Sequence, residues 1–213
     1  MTDLAVRSFT PFTVEDDELT QLAADFAATG AAVIGPPALD RAVFDAVVAE
    51  ARTERAVSGW RLPSPGHESV ANQITMRAQL GPVTRQLMSA GATRSLIQAV
   101  TGRLVLPDWS TSCFTYYDEP GSYLGFHCDN PISCTVAFLL YLEATWAGPA
   151  PGPGHQLHVC RTDIADEVVL RITGHPGRLV ILNGAEQAHG RPPLAEGESL
   201  VLLSACYRTL ART

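Results

Sequence analysis

One short stretch, Gly125-Phe-His-Cys-Asp-Asn-Pro131, decides how the rest of the chain is interpreted. Side chains alternate between the two faces of a β-strand, so His127 and Asp129 are predicted to project from one face and Cys128 from the other. An imidazole and a carboxylate two residues apart on one face can supply two of the three protein ligands of a 2-His-1-carboxylate metal site. The stretch therefore predicts a metal site on a β-sheet.

The third ligand is expected to be a histidine from a later strand. His189 is the best placed, because it closes the segment Arg178-Leu-Val-Ile-Leu-Asn-Gly-Ala-Glu-Gln-Ala-His189, which reads as a buried strand with a short extension. Two histidines and one carboxylate leave the other positions of the metal open, an arrangement typical of non-haem iron(II) oxygenases. The predicted metal is therefore iron(II), held by His127, Asp129 and His189.

The residues around this stretch extend the pattern. Tyr117 and a Pro120-Gly121 turn precede it, and an apolar segment over 134–142 and then Trp146 follow it. The sequence over 110–208 resembles the double-stranded β-helix core of the prolyl-hydroxylase-like 2-oxoglutarate/iron(II) dioxygenases. Members of that family separate the distal histidine from the His-x-Asp by a similar interval, which here is 189 − 127 = 62 residues.

The resemblance implies an enzyme that uses iron(II), dioxygen and the co-substrate 2-oxoglutarate, which is converted to succinate and carbon dioxide. It favours hydroxylation, desaturation or ring closure, because related halogenases replace the carboxylate supplied here by Asp129 with a small residue. The predicted substrate is a small molecule such as an amino acid or a specialised metabolite. Three alternatives stay open: an iron(II) enzyme of the same fold that does not use 2-oxoglutarate, a cupin-like metal-binding module without turnover, and a purely structural jelly roll.

The distal carboxylate of 2-oxoglutarate requires a cation, preferably an arginine, whose planar fork binds a carboxylate through two hydrogen bonds. The family places this cation at the positions that Glu198 and Ser199 occupy here, so the usual residue is missing. Arg191 and Arg208 are the two possible replacements. Arg191 is favoured, because an extended chain would turn it to the same side as His189, whereas alternation along the last strand turns Arg208 outward.

Further side chains are candidates for contacts around the metal. The hydroxyl groups of Tyr117 and Thr135 are expected to support the same carboxylate of 2-oxoglutarate. The candidate substrate contacts are Trp60, His67, Trp109 and Tyr123. Three other histidines are not predicted to bind metal, since two of them lie three residues apart on opposite faces of a strand and one occupies a Gly-His-Pro-Gly turn: His155, His158 and His175.

Composition narrows the class of protein. The chain has 213 residues, of which 46% are hydrophobic and 17% charged, and this favours one folded domain. A net charge of −7 argues against a nucleic-acid partner. No apolar stretch approaches the roughly 20 residues that span a bilayer, and the first residues do not read as a secretory signal. The five cysteines form no CxxC pair, so reduced thiols and a cytoplasmic location are expected, while the oligomeric state stays unknown.

The predicted elements divide this single domain, 1–213, into two parts. Residues 1–105 are expected to be mostly helical, with helices over 14–28, 39–55 and 81–101 and a short strand over 32–34. A loop rich in proline, glycine and serine is predicted over 60–71. Residues 106–213 are expected to form short strands separated by Gly/Pro turns. Helices followed by strands indicate an α+β fold, here a jelly-roll (double-stranded β-helix, cupin-like) core braced by amino-terminal helices.

Overall fold

A computed structural model describes residues 11–62, 74–161 and 167–210. Within these ranges the helices are α1 Asp16–Thr29, α2 Arg41–Ser58, α3 Pro82–Ser89 and α4 Gly91–Thr101. The strands are β1 Ala31–Ile34, β2 Trp60–Leu62, β3 Thr75–Ala78, β4 Val105–Tyr117, β5 Leu124–His127, β6 Val136–Thr145, β7 Gln156–Cys160, β8 Val168–Thr173, β9 Leu179–Leu182, β10 His189–Arg191 and β11 Ser199–Thr209.

The strands form two antiparallel sheets. The larger sheet has the order β1-β9-β6-β11-β4-β3-β2, and the smaller one has the order β5-β10-β7-β8. Sequential neighbours are often far apart in the sheet, so that β6 lies between β9 and β11, as in a jelly roll. The predicted fold class, a mainly β core braced by helices, is confirmed.

Both faces of the larger sheet are buried. Along β11, Leu203 and Tyr207 belong to a core shared with the helices, and the Tyr207 hydroxyl donates to the carbonyl of Met88 in α3 at 2.9 Å. Leu200 and Leu202 belong to a second core, which lies between the two sheets. Because the side chains of a strand alternate, one strand serves both cores and its sequence is almost continuously apolar.

The predicted helices are present, with one difference at the first. α1 begins at Asp16, after Glu15, two residues later than the predicted start at position 14, and the Thr13 hydroxyl donates to the carbonyl of Pro37. Asp40 caps α2, where its carboxylate accepts from the backbone N–H groups of Ala42 and Val43. The helices pack on one face of the larger sheet and leave the other face for the smaller sheet.

Strands from the first half of the chain extend the larger sheet. β1 pairs with β9, while β2 and β3 form the opposite edge beside β4. Trp60 was predicted to begin a loop, but it lies in β2 directly opposite Arg77 of β3. Pairing across the sheet therefore fixes Trp60, although three residues are too few for a periodicity to be recognised in the sequence.

The expectation that all cysteines are reduced is wrong for one pair. Cys134, just before β6, forms a disulfide with Cys206 of β11, 72 residues later, at a Cα–Cα distance of 4.7 Å. The two strands are neighbours in the larger sheet, which places the two residues side by side, and no spacing in the sequence reveals that proximity. Cys113, Cys128 and Cys160 are free.

Within residues 11–62, 74–161 and 167–210, no helix is both long and apolar enough to cross a bilayer.

Candidate metal and co-substrate site

Three potential metal ligands meet between the sheets. His127 ends β5, Asp129 follows it by two residues, and His189 begins β10. One ligand atom of each residue lies within 4.8 Å of the others. The Nε2 atom of His127 is 3.4 Å from Oδ1 of Asp129, and the Nε2 atom of His189 is 3.9 Å from Oδ2. The structure thus brings together the three residues that the sequence predicts as ligands.

The backbone positions these ligands differently from the prediction. His127 and Asp129 were expected to share a strand face, but β5 ends at His127. Asp129 lies in the following loop, where its backbone N–H donates to the carbonyl of Gly184 at 2.8 Å. His189 lies directly opposite His127 because β10 pairs antiparallel with β5, and the two ring centroids are 4.4 Å apart. Strand pairing and one backbone hydrogen bond therefore bring the three side chains together.

Both imidazoles are oriented by the backbone. The Nδ1 atom of His127 is 2.9 Å from the carbonyl oxygen of Gly125, and that of His189 is 2.9 Å from the carbonyl oxygen of Gln187. A carbonyl oxygen only accepts, so Nδ1 is the donor in each of these two contacts and Nε2 of each ring faces Asp129. This arrangement is typical of histidines that bind metal through Nε2.

The protonation states also suit metal binding. Burial raises the pKa of the Asp129 carboxyl, but the hydrogen bond from His127 and the positive fields of His189, His127 and Arg77 outweigh burial, so the pKa lies below its ordinary value. Burial lowers the pKa of His189 and outweighs the opposite effect of Asp129. An ionised carboxylate and a neutral imidazole are the forms that coordinate a metal. The residues present therefore fit a divalent metal ion.

Gly184 leaves the space that Asp129 occupies. A Cβ atom at position 184 would stand 2.2 Å from Oδ2 of Asp129. We expect Gly184→Ala to displace the carboxylate and to lower the affinity for cobalt(II) by about ten- to a hundredfold, the range typical of lost ligand support. Gly148→Ala is the control, because a Cβ there meets nothing within 4 Å. Equal cobalt(II) affinity of the two variants, measured by absorption titration, would contradict this role of Gly184.

A cavity extends from the metal ligands to Arg191. Its walls come from both sheets and include Leu139, Leu157 and Leu202 besides His127, Asp129 and His189. Arg191 lies in β10 two residues after His189 and is only 3% exposed. The register of β10 against β5 shifts between these two residues. Both side chains nevertheless line the cavity, as expected if they lie on one side of the strand.

Arg191 is a buried cation without an anionic partner. Its guanidinium donates to the Tyr141 hydroxyl at 3.0 Å and lies 5.3 Å from the ring centroid of Tyr117. No carboxylate in the described part of the chain is within ion-pair distance of it, and its buried Nε has no hydrogen-bond partner there. Burial works to lower the pKa of Arg191, but Tyr141 and Tyr117 outweigh it and raise the pKa, so the charge is retained. A buried, unpaired charge is costly, and an anion in the cavity would compensate it.

The other predicted contacts of 2-oxoglutarate divide into two groups. Tyr117 lines the cavity beside Arg191. Thr135 does not line it, since its hydroxyl donates to the carbonyl of Tyr207 at 2.9 Å at the end of the strand pair. Arg208 is exposed near the end of β11 and lies outside the cavity. Neither Thr135 nor Arg208 therefore contributes to the wall of the cavity that Arg191 lines.

The predicted substrate contacts are also separated by the structure. Trp60 and Trp109 line a pocket that adjoins the metal cavity. Tyr123 precedes β5 and lines neither the cavity nor that pocket. His67 lies outside the described residues.

Three functional features are not singled out by the sequence. Tyr141 holds Arg191, Gly184 accommodates Asp129, and Arg77 lines the cavity from β3. Tyr141 belongs to an apolar strand in which a buried tyrosine has no visible signal, although a buried hydroxyl usually has a partner. The Asn183-Gly184 pair reads only as a turn, because the need for a missing Cβ becomes visible when Asp129 lies against it.

Comparison with known proteins supports the fold. Neither a protein-family model nor a curated protein sequence matches the chain. Among solved structures, a Pseudomonas putida prolyl-4-hydroxylase superposes with a TM-score of 0.63 over 91% of this chain and 100% of its own, at 22% identity. The 2-oxoglutarate-dependent epimerase SnoN of nogalamycin biosynthesis superposes with a TM-score of 0.68 over 91% and 82%, at 16% identity.

A third similar structure contains ligands. HygX from Streptomyces hygroscopicus, crystallised with nickel, 2-oxoglutarate and hygromycin B, covers 92% of this chain and 87% of its own with a TM-score of 0.62 at 15% identity. The architecture of two antiparallel sheets braced by helices is thus common to these enzymes and to this protein. The chain has the double-stranded β-helix fold of the prolyl hydroxylases and other 2-oxoglutarate/iron(II) oxygenases.

Proposed function

We propose that this protein is an iron(II)- and 2-oxoglutarate-dependent oxygenase that oxidises a small molecule. The observation that carries the proposal is the buried Arg191, which lacks an anionic partner among the described residues and lines the same cavity as the three potential metal ligands. A ligand with an anionic end at Arg191 and a chelating end at the metal satisfies both parts of this cavity. 2-Oxoglutarate has that chemistry, and HygX is crystallised with it.

The residues of the chain have distinct roles in this proposal. His127, Asp129 and His189 hold the metal, which when bound supplies open positions for the 2-oxo acid group and for dioxygen. Arg191, supported by Tyr141 and Tyr117, binds the distal carboxylate. The apolar walls of the cavity exclude water from the reacting centre.

The reaction balances for a hydroxylation. Substrate, dioxygen and 2-oxoglutarate give hydroxylated substrate, succinate and carbon dioxide, with one oxygen atom entering succinate and the other entering the substrate. The comparison structures include a hydroxylase and an epimerase, so the fold does not select the reaction. Asp129 at the carboxylate position supports hydroxylation, desaturation or cyclisation rather than halogenation.

Succinate formation tests the proposal. With iron(II), air and 2-oxoglutarate, the protein is expected to release succinate and carbon dioxide in equal amounts, slowly without its substrate and faster with it. His127→Ala is expected to lower the rate to that of free iron, because the metal is no longer held. A protein that binds iron and 2-oxoglutarate but forms no more succinate than His127→Ala would instead be a metal-binding module without turnover.

A further inference from the structure

A second pocket adjoins the metal cavity. This outer pocket is lined by residues of β2, β3, α3 and β4 and the loop between β3 and α3: Trp60, Arg77, Gln79, Leu80, Arg85, Trp109, Ser110, Thr111, Ser112 and Cys113. Three of them, Arg77, Thr111 and Cys113, also line the metal cavity. A molecule bound in the outer pocket therefore lies next to the space in which the metal and 2-oxoglutarate are proposed to react.

Two tryptophans present aromatic surface to this pocket. Trp60 is 41% exposed and Trp109 is 43% exposed, whereas most large apolar side chains of the protein are buried. Trp60 is the cross-strand partner of Arg77, so the two side chains project from the same face of the sheet. Exposed indole rings bind flat or apolar groups through large contact areas, and they keep one polar N–H for a hydrogen bond.

The charges that line the pocket are all positive. Its charged side chains, within the described residues, are Arg77 and Arg85, although the whole protein has a net charge of −7. Arg85 donates through Nε to the carbonyl of Leu80 at 2.8 Å and lies over the ring of Trp109, 5.8 Å from its centroid. No carboxylate of the described ranges forms an ion pair with Arg85. The nearby Asp108 carboxylate accepts from the hydroxyls of Ser110 and Thr111, so Arg85 is left to pair with an anion in the pocket.

We propose that the outer pocket binds the substrate and that this substrate is a small organic anion with a ring. Trp60 and Trp109 contact the ring, while Arg85 binds the carboxylate or other acidic group. The role of the outer pocket as the substrate site rests on the function proposed above, but the binding of a ring-bearing anion in this pocket does not. The geometry thus narrows the substrate from any small molecule to a ring-bearing anion.

Phenylacetate and phenylacetamide provide a matched test, because they have nearly the same shape and differ in charge. The protein contains three tryptophans, so ¹⁵N-labelled indole groups give three signals, assigned by Trp60→Phe and Trp109→Phe. The titration is done with zinc and excess 2-oxoglutarate, which occupy the inner cavity without turnover. We expect phenylacetate to shift the Trp60 and Trp109 signals at millimolar concentration and to leave Trp146, which packs near His155 and His175, unchanged.

The discrimination between the two probes decides the proposal. Phenylacetamide is expected to bind about tenfold more weakly, the usual effect of losing one charge-assisted hydrogen bond. Arg85→Gln should remove most of this difference, and Arg41→Gln, an exposed arginine paired with Asp45 on α2, should preserve it. Equal binding of both probes, no shift of Trp60 and Trp109, or a preserved difference in Arg85→Gln would overturn the proposal. Failure of zinc-loaded protein to bind 2-oxoglutarate, measured separately by calorimetry, would instead count against the proposed function.

Discussion

Arg191→Met is expected to lower the affinity for 2-oxoglutarate by at least about thirtyfold, the effect of removing one partner from a buried charge pair worth about 2 kcal/mol or more. The reason is that Arg191 is a buried cation that lines the same cavity as His127, Asp129 and His189. Calorimetric titration of zinc-loaded protein measures the change. 2-Oxopentanoate, which keeps the chelating group but has no distal carboxylate, is expected to bind the parent protein and Arg191→Met equally.

The comparison of two ligands and two proteins isolates the interaction of one carboxylate with one guanidinium. Arg208→Met is the matched control, since Arg208 is the other arginine that the sequence offers and it is exposed. It should leave the affinity for 2-oxoglutarate unchanged. Arg191 would not be the residue that binds the distal carboxylate if Arg191→Met retained that affinity. The same conclusion would follow if the substitution weakened the binding of 2-oxopentanoate as much as that of 2-oxoglutarate. Thermal unfolding of the ligand-free variant checks that it remains folded.

His127→Ala is expected to reduce metal affinity by more than about a hundredfold, which exceeds the effect of losing a supporting hydrogen bond. His127 supplies one of three ligand atoms that lie within 4.8 Å of one another, and the loss leaves only two. Cobalt(II) titration, followed by the absorption of the bound ion, measures the affinity without redox chemistry.

His158→Ala is the control for this substitution. His158 lies on β7, the other neighbour of β10, and its ring is 6.3 Å from that of Phe126, outside the cavity. Its removal should leave cobalt(II) binding unchanged. A loss of binding in His158→Ala equal to that in His127→Ala would mean that the ion binds elsewhere or that either substitution disturbs the sheet.

The sequence predicts the elements better than it predicts the contacts between them. Apolar runs identify β6, β9 and β11, because both faces of the larger sheet are buried and each of these strands needs a continuous apolar sequence. Capping and left-handed glycines mark the helices, as Gly30 does at the end of α1 with φ of 75°. Short edge strands such as β2 give no periodicity, since their partners alone hold them in the sheet.

The sequence predicts the potential metal ligands correctly, but the contacts that hold them in place differ from the shared strand face that the sequence suggests. Spacing identifies His127 and Asp129, but the structure holds Asp129 through Gly184, a residue 55 positions later (184 − 129). Arg191 is suggested by its distance of two residues from His189. Its partner Tyr141 is not, because β6 and β10 belong to different sheets and only the packing between the sheets brings the two side chains together.

Glu198 makes contacts of its own at the position where a cation is expected. Glu198, at the position where the family resemblance predicts a cation, is buried with its Oε1 3.9 Å from Nε2 of His155. Its Oε2 accepts from the backbone N–H of Ala195 at 2.9 Å. The carboxylate is therefore engaged within the turn before β11. Arg191 of β10, buried and without a carboxylate partner among the described residues, is the cation that we propose in its place.

The most direct test of the proposed iron and 2-oxoglutarate site is the visible spectrum of the protein with both ligands under strictly anaerobic conditions. Chelation of iron by the 2-oxo acid group produces a weak metal-to-ligand charge-transfer band. We predict this band for the parent protein, its absence for His127→Ala, and a much higher 2-oxoglutarate concentration for half-saturation in Arg191→Met. Iron binding without the band in the parent protein, or an unchanged band in both variants, would contradict the proposal that one cavity holds iron on His127, Asp129 and His189 and 2-oxoglutarate on Arg191.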